Sequence, residues 1–185
     1  MTHQAAFLQS PFSVLTRQRT TPQSPVHHPE GHVWNHTLLV VDRAAAHKGF
    51  SANPRAFMWA ALLHDIGKPD TTRTRRGRIT AYDHDRVGAE LARALLRQVT
   101  DEADFAEAVV QLVRYHMQPL YVVKGLPFQD IAGMRAQTSI TEVALLSYCD
   151  RLGRGGADRH AEAEAIRTFL EKCNERNDLE WLKQV

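Results

Sequence analysis

The sequence predicts an all-α protein, in which one main domain is built as a bundle of helices. Apolar residues recur at steps of three and four along consecutive segments, which is the spacing of one helix face. Asn, Gly and Pro residues separate these segments where helices begin and end. A strand-like pattern is confined to an arginine-rich segment at residues 71–85, so no extended sheet is expected.

The composition places few limits on function. The chain has 185 residues, 43% of them hydrophobic, and a net charge of +2, which by itself requires neither nucleic acid nor a membrane as partner. Its two cysteines, Cys149 and Cys173, form no CxxC pair, which argues against a disulfide scaffold. The sequence shows no leader pattern and no apolar run of membrane-spanning length. We therefore expect a cytoplasmic protein with no membrane partner.

An irregular arm is predicted for residues 1–30, which are rich in Pro, Ser, Thr and Gln, with a helical turn around residues 7–15. Residues 31–185 are expected to form a single helical domain. Its first long helix covers residues 33–48 and ends at Gly49. The inward stripe of this helix consists of Val33, His36, Val40 and Ala44.

The second helix is predicted to be the central one, because it is apolar on nearly all sides. Asn53 caps it, Pro54 lies in its first turn, and Gly67 ends it. Near its end, the stretch ALLHDIGKPD places His64 and Asp65 side by side. Burying an unpaired imidazole and carboxylate costs several kcal/mol, so this pair needs partners. A metal ion is one candidate.

The rest of the chain continues the helical pattern after an exposed loop or small hairpin at residues 71–85. Helices are predicted over residues 83–98, 101–117, 127–137, 141–152 and 157–173, with a last turn in the charged C-terminal stretch. Pro119 is expected to end the helix before it, and a loop then leads to residue 127.

Polar residues that can bind metal recur on the inward stripes of these helices. His84 shares a stripe with Leu91 and Leu95, and His116 follows Val109 and Leu112 at helical spacing. The complete set, from five helices, is His36, His64, Asp65, His84, His116 and Asp150. A single inward histidine is usually a core residue bonded to a carbonyl. Six such groups facing one interior are better explained by a divalent metal that satisfies all of them.

The order of these residues resembles the H…HD…H…H…D pattern of the HD-domain metal-dependent phosphohydrolases, over roughly residues 26–154. The segments HHPEGHVWNHTLLVVDRA, ALLHDIGKP and GRITAYDHDRVGAELA are most similar to the HD domain of bacterial tRNA nucleotidyltransferases. His32 stands where that family's HPEG segment would continue with an acidic residue. Because thirty N-terminal residues cannot hold a nucleotidyltransferase domain, we expect a standalone HD domain that does not add CCA.

The resemblance implies a site with two divalent cations. One is held by His36, His64, Asp65 and Asp150, and Asp65 bridges to a second held by His84 and His116. Imidazole and carboxylate ligands without thiolate suit iron, manganese, cobalt, nickel or zinc. Two such cations lower the pKa of a water between them to give hydroxide near neutral pH, so hydrolysis of a phosphoester is the expected reaction.

The resemblance implies catalytic roles for Asp65 and Lys68, the latter as a point charge that meets a phosphate oxygen. A solvated lysine at a helix end is the alternative. Arg75, Arg76 and Arg78 are candidates to clamp the phosphates of a nucleotide or an RNA end, although such a run is often a solvated loop. The expected substrate is a nucleotide, a 2',3'-cyclic phosphate or another small phosphoester.

Two other functions stay open at the level of the sequence. One is a binding module that holds a nucleotide, an RNA end or a partner without turnover. The other is an enzyme with one metal that cleaves dinucleoside polyphosphates, in which His84 and His116 would contact the substrate. Glu30 is expected either to orient a ligand histidine or to cap the first helix, and His28 either to shape the mouth of the site or to be solvated.

Overall fold

The computed structural model describes residues 9–183. Within that range the structure is a helical bundle with one two-stranded hairpin, which confirms the predicted all-α class. The helices are α1 (Ser13–Thr16), α2 (Val33–His47), α3 (Pro54–Leu63), α4 (Lys68–Thr71), α5 (His84–Leu96), α6 (Ala103–Tyr115), α7 (Gln118–Val123), α8 (Ile131–Gln137), α9 (Ile140–Leu152), α10 (Arg159–Lys172) and α11 (Glu180–Lys183). The strands are β1 (Arg73–Arg75) and β2 (Arg78–Thr80), and 3₁₀ turns cover Arg17–Arg19 and Lys48–Phe50.

Helix α3 lies at the centre of the bundle, where it packs against α2, α6 and α9. Asn53 begins it, because its side-chain oxygen accepts the N–H of Ala56 at 3.1 Å. Phe57, Leu63 and three alanines of this helix are buried, and Met58, Trp59 and Leu62 are partly buried against the same core. The apolar sequence of this helix is therefore matched by neighbours on several sides, as predicted.

The central helix ends earlier than the sequence predicts. Helix α3 stops at Leu63, and residues 64–67 form a tight turn rather than a last helical turn. Gly67 packs so closely on the first turn of α5 that a Cβ there would lie 2.2 Å from the carbonyl oxygen of His84. This close approach is open to glycine alone. It brings Asp65 beside α5.

A second difference concerns the region after Pro119. The sequence predicts a loop, but Gln118–Val123 form α7 with Pro119 in its first turn. Proline is tolerated there because a first-turn N–H has no acceptor within the helix. Contacts of α7 with α10 and α9 stabilise a segment too short to be helical by propensity alone.

The arginine-rich segment forms the small hairpin that the sequence offers as one of two alternatives. Strands β1 and β2 are antiparallel, with Arg75 opposite Arg78. Directly opposed residues share a face of a hairpin, and neighbours along a strand alternate between faces. One face therefore carries Arg73, Arg75 and Arg78, and the other carries Thr74 and Ile79.

The N-terminal arm packs against the bundle over residues 9–30. Leu15 on α1 is part of the hydrophobic core. Further on, the side-chain oxygen of Gln23 accepts a hydrogen bond from Lys68 Nζ at 2.6 Å. The helical turn predicted around residues 7–15 lies partly outside the described residues. None of the helices described is long and apolar enough to cross a membrane.

Candidate metal centre

Three buried histidines share one arrangement. His64 follows α3, His84 begins α5 and His116 follows α6. Each of the three donates Nδ1–H to the backbone carbonyl three residues earlier. The acceptors are Ala61 at 2.9 Å, Ala81 at 2.7 Å and Val113 at 2.7 Å. Because Nδ1 carries the proton in the neutral ring, Nε2 keeps its lone pair. All three rings thus offer Nε2 as a ligand atom.

Asp65 lies between two groups of these ligand atoms. Its Oδ2 is 3.2 Å from His64 Nε2 and 3.9 Å from His36 Nε2. Its Oδ1 is 3.5 Å from His84 Nε2 and 4.0 Å from His116 Nε2. The two oxygens of one buried carboxylate therefore face two different sets of histidines.

His36 connects α2 to the end of α9. Its Nε2 is 2.9 Å from Asp150 Oδ1, and its Nδ1 is 2.9 Å from Glu30 Oε1. Burial alone would lower the pKa of His36, but the interactions with these two carboxylates raise it to about 9. The pKa of Asp150 is well below its usual value, since Arg154 and His36 together outweigh burial. This part of the site is held together by ion pairing across the bundle.

Glu30 orients His36 and does not cap α2, whose N-cap residue is His32. Besides His36, the carboxylate contacts His28 Nδ1 at 2.8 Å and accepts the N–H of Gly155 at 3.1 Å. Burial works against ionisation, yet these contacts, led by His36, lower the pKa of Glu30 to about 2. The sequence left two roles open for Glu30, which were to orient a ligand histidine or to cap the first helix. The structure supports the first.

The ionisation states of Asp65, His84 and His116 match those of metal ligands. The pKa of Asp65 is far below its ordinary value, because His64 and Lys68 outweigh burial. Burial lowers the pKa of His84, and burial with repulsion from neighbouring histidines lowers that of His116 to about 4. Near neutral pH Asp65 is therefore anionic and His84 and His116 are neutral, whereas His36 is protonated beside Asp150 and Glu30. A divalent cation is bound by donors such as Asp65, His84 and His116.

The positions of the donors also fit a cation. Two groups have ligand atoms that all lie within 4.8 Å of one another: His36, His64 and Asp65, and Asp65, His84 and His116. A third such group is His28, Glu30 and His36. His64 Nε2 is buried and has no hydrogen-bond partner within the described residues. A buried ring nitrogen left in this state is expected at a metal ligand.

Lys68 is a buried residue of the site rather than a solvated helix end. It begins α4, and its Nζ lies 2.7 Å from Asp65 Oδ2. The same Nζ donates to Gln23 Oε1 at 2.6 Å. The lysine therefore sits beside the carboxylate, with the arm holding its charged end in place.

A cavity of about 640 Å³ opens onto these groups. Asp65, Lys68, His84, His116 and Asp150 contribute to its lining. So do five basic residues that the sequence analysis did not single out: Arg86, Arg114, Lys124, Arg151 and Arg154. The size lies within the range of small-ligand pockets.

Arg154 is the clearest of these missed residues. Its guanidinium nitrogen lies 3.6 Å from Asp150 Oδ2. The spacing of four residues along the chain is the signal that could have identified it, because residues i and i+4 meet on a helix. The hairpin arginines Arg75, Arg76 and Arg78 are exposed, and they do not line the cavity.

These features place the protein in a class of all-α proteins. In this class, histidines and aspartates suited to a metal ion cluster in the core of a helical bundle. The family model of the HD domain matches residues 33–155. The chain therefore belongs to the HD-domain family, part of a superfamily of metal-dependent phosphohydrolases. This confirms the resemblance seen in the sequence.

The chain is similar to multifunctional CCA proteins and to a CC-adding tRNA nucleotidyltransferase. The chain is 34% identical over 143 residues to the multifunctional CCA protein of Aromatoleum aromaticum, covering 73% of this chain and 33% of that protein. It is 35% identical over 152 residues to the protein of that name from Pseudomonas fluorescens, covering 78% and 35%. The CC-adding tRNA nucleotidyltransferase of Thermus thermophilus is 34% identical over 141 residues, covering 75% and 31%. The chain spans about a third of the length of these relatives.

Proposed function

We propose that this chain hydrolyses a phosphoester, with a nucleotide, a 2',3'-cyclic phosphate or a related small phosphoester as substrate. One observation carries the proposal: Asp65 Oδ1 and Oδ2 face two separate histidine groups in the lining of an open cavity. A carboxylate with this environment is suited to bridge two cations. Phosphoester hydrolysis is the chemistry for which paired cations are commonly used.

The ligand assignment follows the two groups and adds Asp150, whose Oδ1 lies 2.9 Å from His36 Nε2. His36, His64, Asp65 and Asp150 would hold one divalent ion, and Asp65, His84 and His116 a second. Iron, manganese, cobalt, nickel and zinc all suit these nitrogen and oxygen donors. When bound, such a pair supplies an activated water as nucleophile and neutralises charge on the phosphate.

The chain's own residues do the positioning. Lys68 Nζ, 2.7 Å from Asp65, fixes the bridging carboxylate and offers positive charge to a phosphate oxygen at the cavity surface. Arg154 adds a guanidinium beside Asp150. Glu30 holds the ring of His36 so that Nε2 points into the site. These groups would orient a phosphoester before reaction.

The hairpin arginines Arg75, Arg76 and Arg78 are proposed to contact a longer substrate outside the cavity. Their exposure leaves them free to meet phosphates of an RNA end. The similarity to the CC-adding tRNA nucleotidyltransferase of Thermus thermophilus supports an RNA end as a second form of substrate. The mononucleotide-sized part of that substrate would occupy the same cavity.

The test uses protein purified without chelator, with metal content measured by elemental mass spectrometry. Hydrolysis of bis(p-nitrophenyl) phosphate and of 2',3'-cyclic AMP is then followed with manganese, cobalt, nickel or zinc. Asp65→Ala should lose activity by about 100-fold or more, because removal of a bridging ligand costs more than removal of an outer partner. Asp104→Ala, an exposed acid on α6, is the control and should retain activity.

Each alternative outcome has a clear meaning. Retained activity in folded Asp65→Ala would contradict the mechanism. Tight binding of 2',3'-cyclic AMP without product over hours would replace the hydrolase with a binding module. One ion per chain, with metal content unchanged in His84→Ala, would indicate the enzyme with a single metal.

A further inference from the structure

We infer that Tyr121 and Phe128 form a subsite for the base of a nucleotide whose phosphate lies at the metal centre. The inference rests on the proposed function for the position of the phosphate, and it adds the substrate class and the residues that recognise it. Both aromatic residues line the cavity into which Asp65 and His116 also project. Nothing in the proposed metal chemistry uses them.

The first observation is an aromatic ring left uncovered. Phe128 is 54% exposed, although its ring meets that of Tyr121 with 5.7 Å between centroids and 62° between planes. In this edge contact, part of a ring face stays free to stack. A nucleobase is a flat partner for such a face, and every base can stack there.

The second observation is that Phe128 is held in place. Gln118 is only 1% exposed, and its side chain donates to the Phe128 carbonyl at 3.2 Å and accepts the Asp130 N–H at 2.7 Å. The Leu126 N–H donates to the Tyr121 carbonyl at 2.9 Å. Because hydrogen bonds hold this loop at three backbone positions, binding to the Phe128 ring requires little ordering of the backbone.

The third observation is the position of Tyr121 and its neighbours along the cavity relative to the metal-ligand residues. Helix α7 begins two residues after His116, and Tyr121 lies more than one helical turn beyond that histidine. Met117, Leu120 and Lys124 of the same stretch also line the cavity. A ligand along this wall therefore meets metal ligands at one end and aromatic rings further on.

Six Lys and Arg side chains and four Asp side chains line the cavity, and this excess of positive charge favours an anionic ligand over a purely apolar one. Lys68 and Arg154 lie at the metal end, and Lys124 lies at the aromatic end. A nucleoside phosphate combines one anionic group with one flat ring, and a cavity of about 640 Å³ is large enough for it. Simple sugar or glycerol phosphates would leave the aromatic wall uncovered.

The experiment compares adenosine 5'-monophosphate with ribose 5-phosphate, which carry the same phosphate with and without a base. Binding to the protein as purified is measured by titration calorimetry, with product formation monitored. Adenosine 5'-monophosphate should bind about tenfold more tightly. Phe128→Ala should remove most of this difference and leave ribose 5-phosphate binding unchanged.

Two further variants separate stacking from general effects. Phe128→Trp keeps an aromatic face and should keep the preference for the base, whereas Phe128→Leu keeps apolar volume and should lose it. Phe50→Ala is the matched control, because Phe50 is also exposed, at 39%, but does not line the cavity. It should change neither affinity.

Equal binding of the two ligands to the parent protein would overturn the subsite. So would an equal loss of both affinities in Phe128→Ala, or no loss in any Phe128 variant. If the protein hydrolyses phosphoesters but binds adenosine 5'-monophosphate no more tightly than ribose 5-phosphate, the subsite is refuted and the proposed function stands. A Phe128-dependent base preference without hydrolysis of any phosphoester supports the subsite and refutes the proposed function.

Discussion

His84 Nε2 and His116 Nε2 lie 3.2 Å apart, and each ring uses its Nδ1 to bond a backbone carbonyl. In the neutral rings the two facing nitrogens both carry lone pairs, so their approach is repulsive unless a proton or a cation lies between them. Asp65 Oδ1, at 3.5 Å from His84 Nε2, adds a negative charge to the same point. The fold therefore brings together donors that a cation would stabilise.

Metal binding should raise the stability of the fold. At a free metal concentration 100 times Kd, one site adds about 3 kcal/mol. For a chain of this size, that raises Tm by about 6–12 °C. Differential scanning calorimetry with and without added manganese or zinc, after chelation, measures the shift.

The same experiment on His116→Ala should show a smaller shift and one ion fewer per chain. His160→Ala, which changes an exposed histidine on α10, serves as control and should respond like the parent. An unchanged Tm on metal addition to the parent would contradict a structural link between the cation and the His84–His116 pair.

Glu30→Gln should weaken metal binding at the group containing His36. The amide keeps the size of the side chain but loses the charge that lies 2.9 Å from His36 Nδ1 and favours that ring's orientation. Loss of such an orienting carboxylate lowers metal affinity by about 10- to 100-fold. Competition with a fluorescent chelator measures the change.

Glu107→Gln is the control, because Glu107 pairs with Arg93 on the surface and contacts no metal group. Its metal affinity should equal that of the parent. If Glu30→Gln bound metal as tightly as the parent, Glu30 would be only a link between the arm and Gly155.

Gly67→Ala should destabilise the fold and disturb the metal site together. The added Cβ would lie 2.2 Å from the His84 carbonyl oxygen, and backbone must move to relieve the clash. We expect a loss of about 3 kcal/mol in the free energy of unfolding. Urea unfolding of the metal-free protein measures it.

At Gly49 a Cβ would meet nothing within 4 Å, so Gly49→Ala should change the free energy of unfolding by less than about 0.5 kcal/mol. Equal stability of the two variants would mean that the turn at residues 64–67 is not pressed against α5.

Replacement of the hairpin arginines should lower kcat/KM for an RNA substrate and leave that for a mononucleotide nearly unchanged. With Arg75, Arg76 and Arg78 all changed to Ser, kcat/KM for 2',3'-cyclic AMP should stay within about twofold of the parent, because these residues do not line the cavity. For an RNA oligonucleotide that ends in a 2',3'-cyclic phosphate, kcat/KM should fall about tenfold at low salt, and the difference should shrink as salt rises.

Arg176→Ser removes an exposed arginine near the C-terminus and should affect neither substrate. A large loss with 2',3'-cyclic AMP itself would place these three arginines at the cavity in solution. An equal kcat/KM for RNA in parent and triple variant would remove the proposed role of the hairpin in binding an RNA end.

The inward-facing stripes of the helices show which site residues hydrophobic periodicity alone can predict. His36, His84, His116 and Asp150 are predicted to face inward because each is spaced from apolar residues by one or two helical turns, and all four are buried. The pattern fails at the end of α3, where a glycine-dependent turn replaces the last helical turn. The turn is set by the close contact between Gly67 and α5. Because that contact joins two separate segments of the chain, no periodic pattern in the sequence predicts it.

The sequence by itself determined the all-α class, the inward direction of His36, His84, His116 and Asp150, and the family to which the chain belongs. Only the tertiary structure decided that the two oxygens of Asp65 face different histidines, that Glu30 contacts both His36 and Gly155, and that Gln118 holds Phe128 in the cavity wall. The physical reason is that helix faces follow from local backbone geometry, which repeats along the chain. Distances between side chains on different elements depend on packing, and packing has no repeating signature.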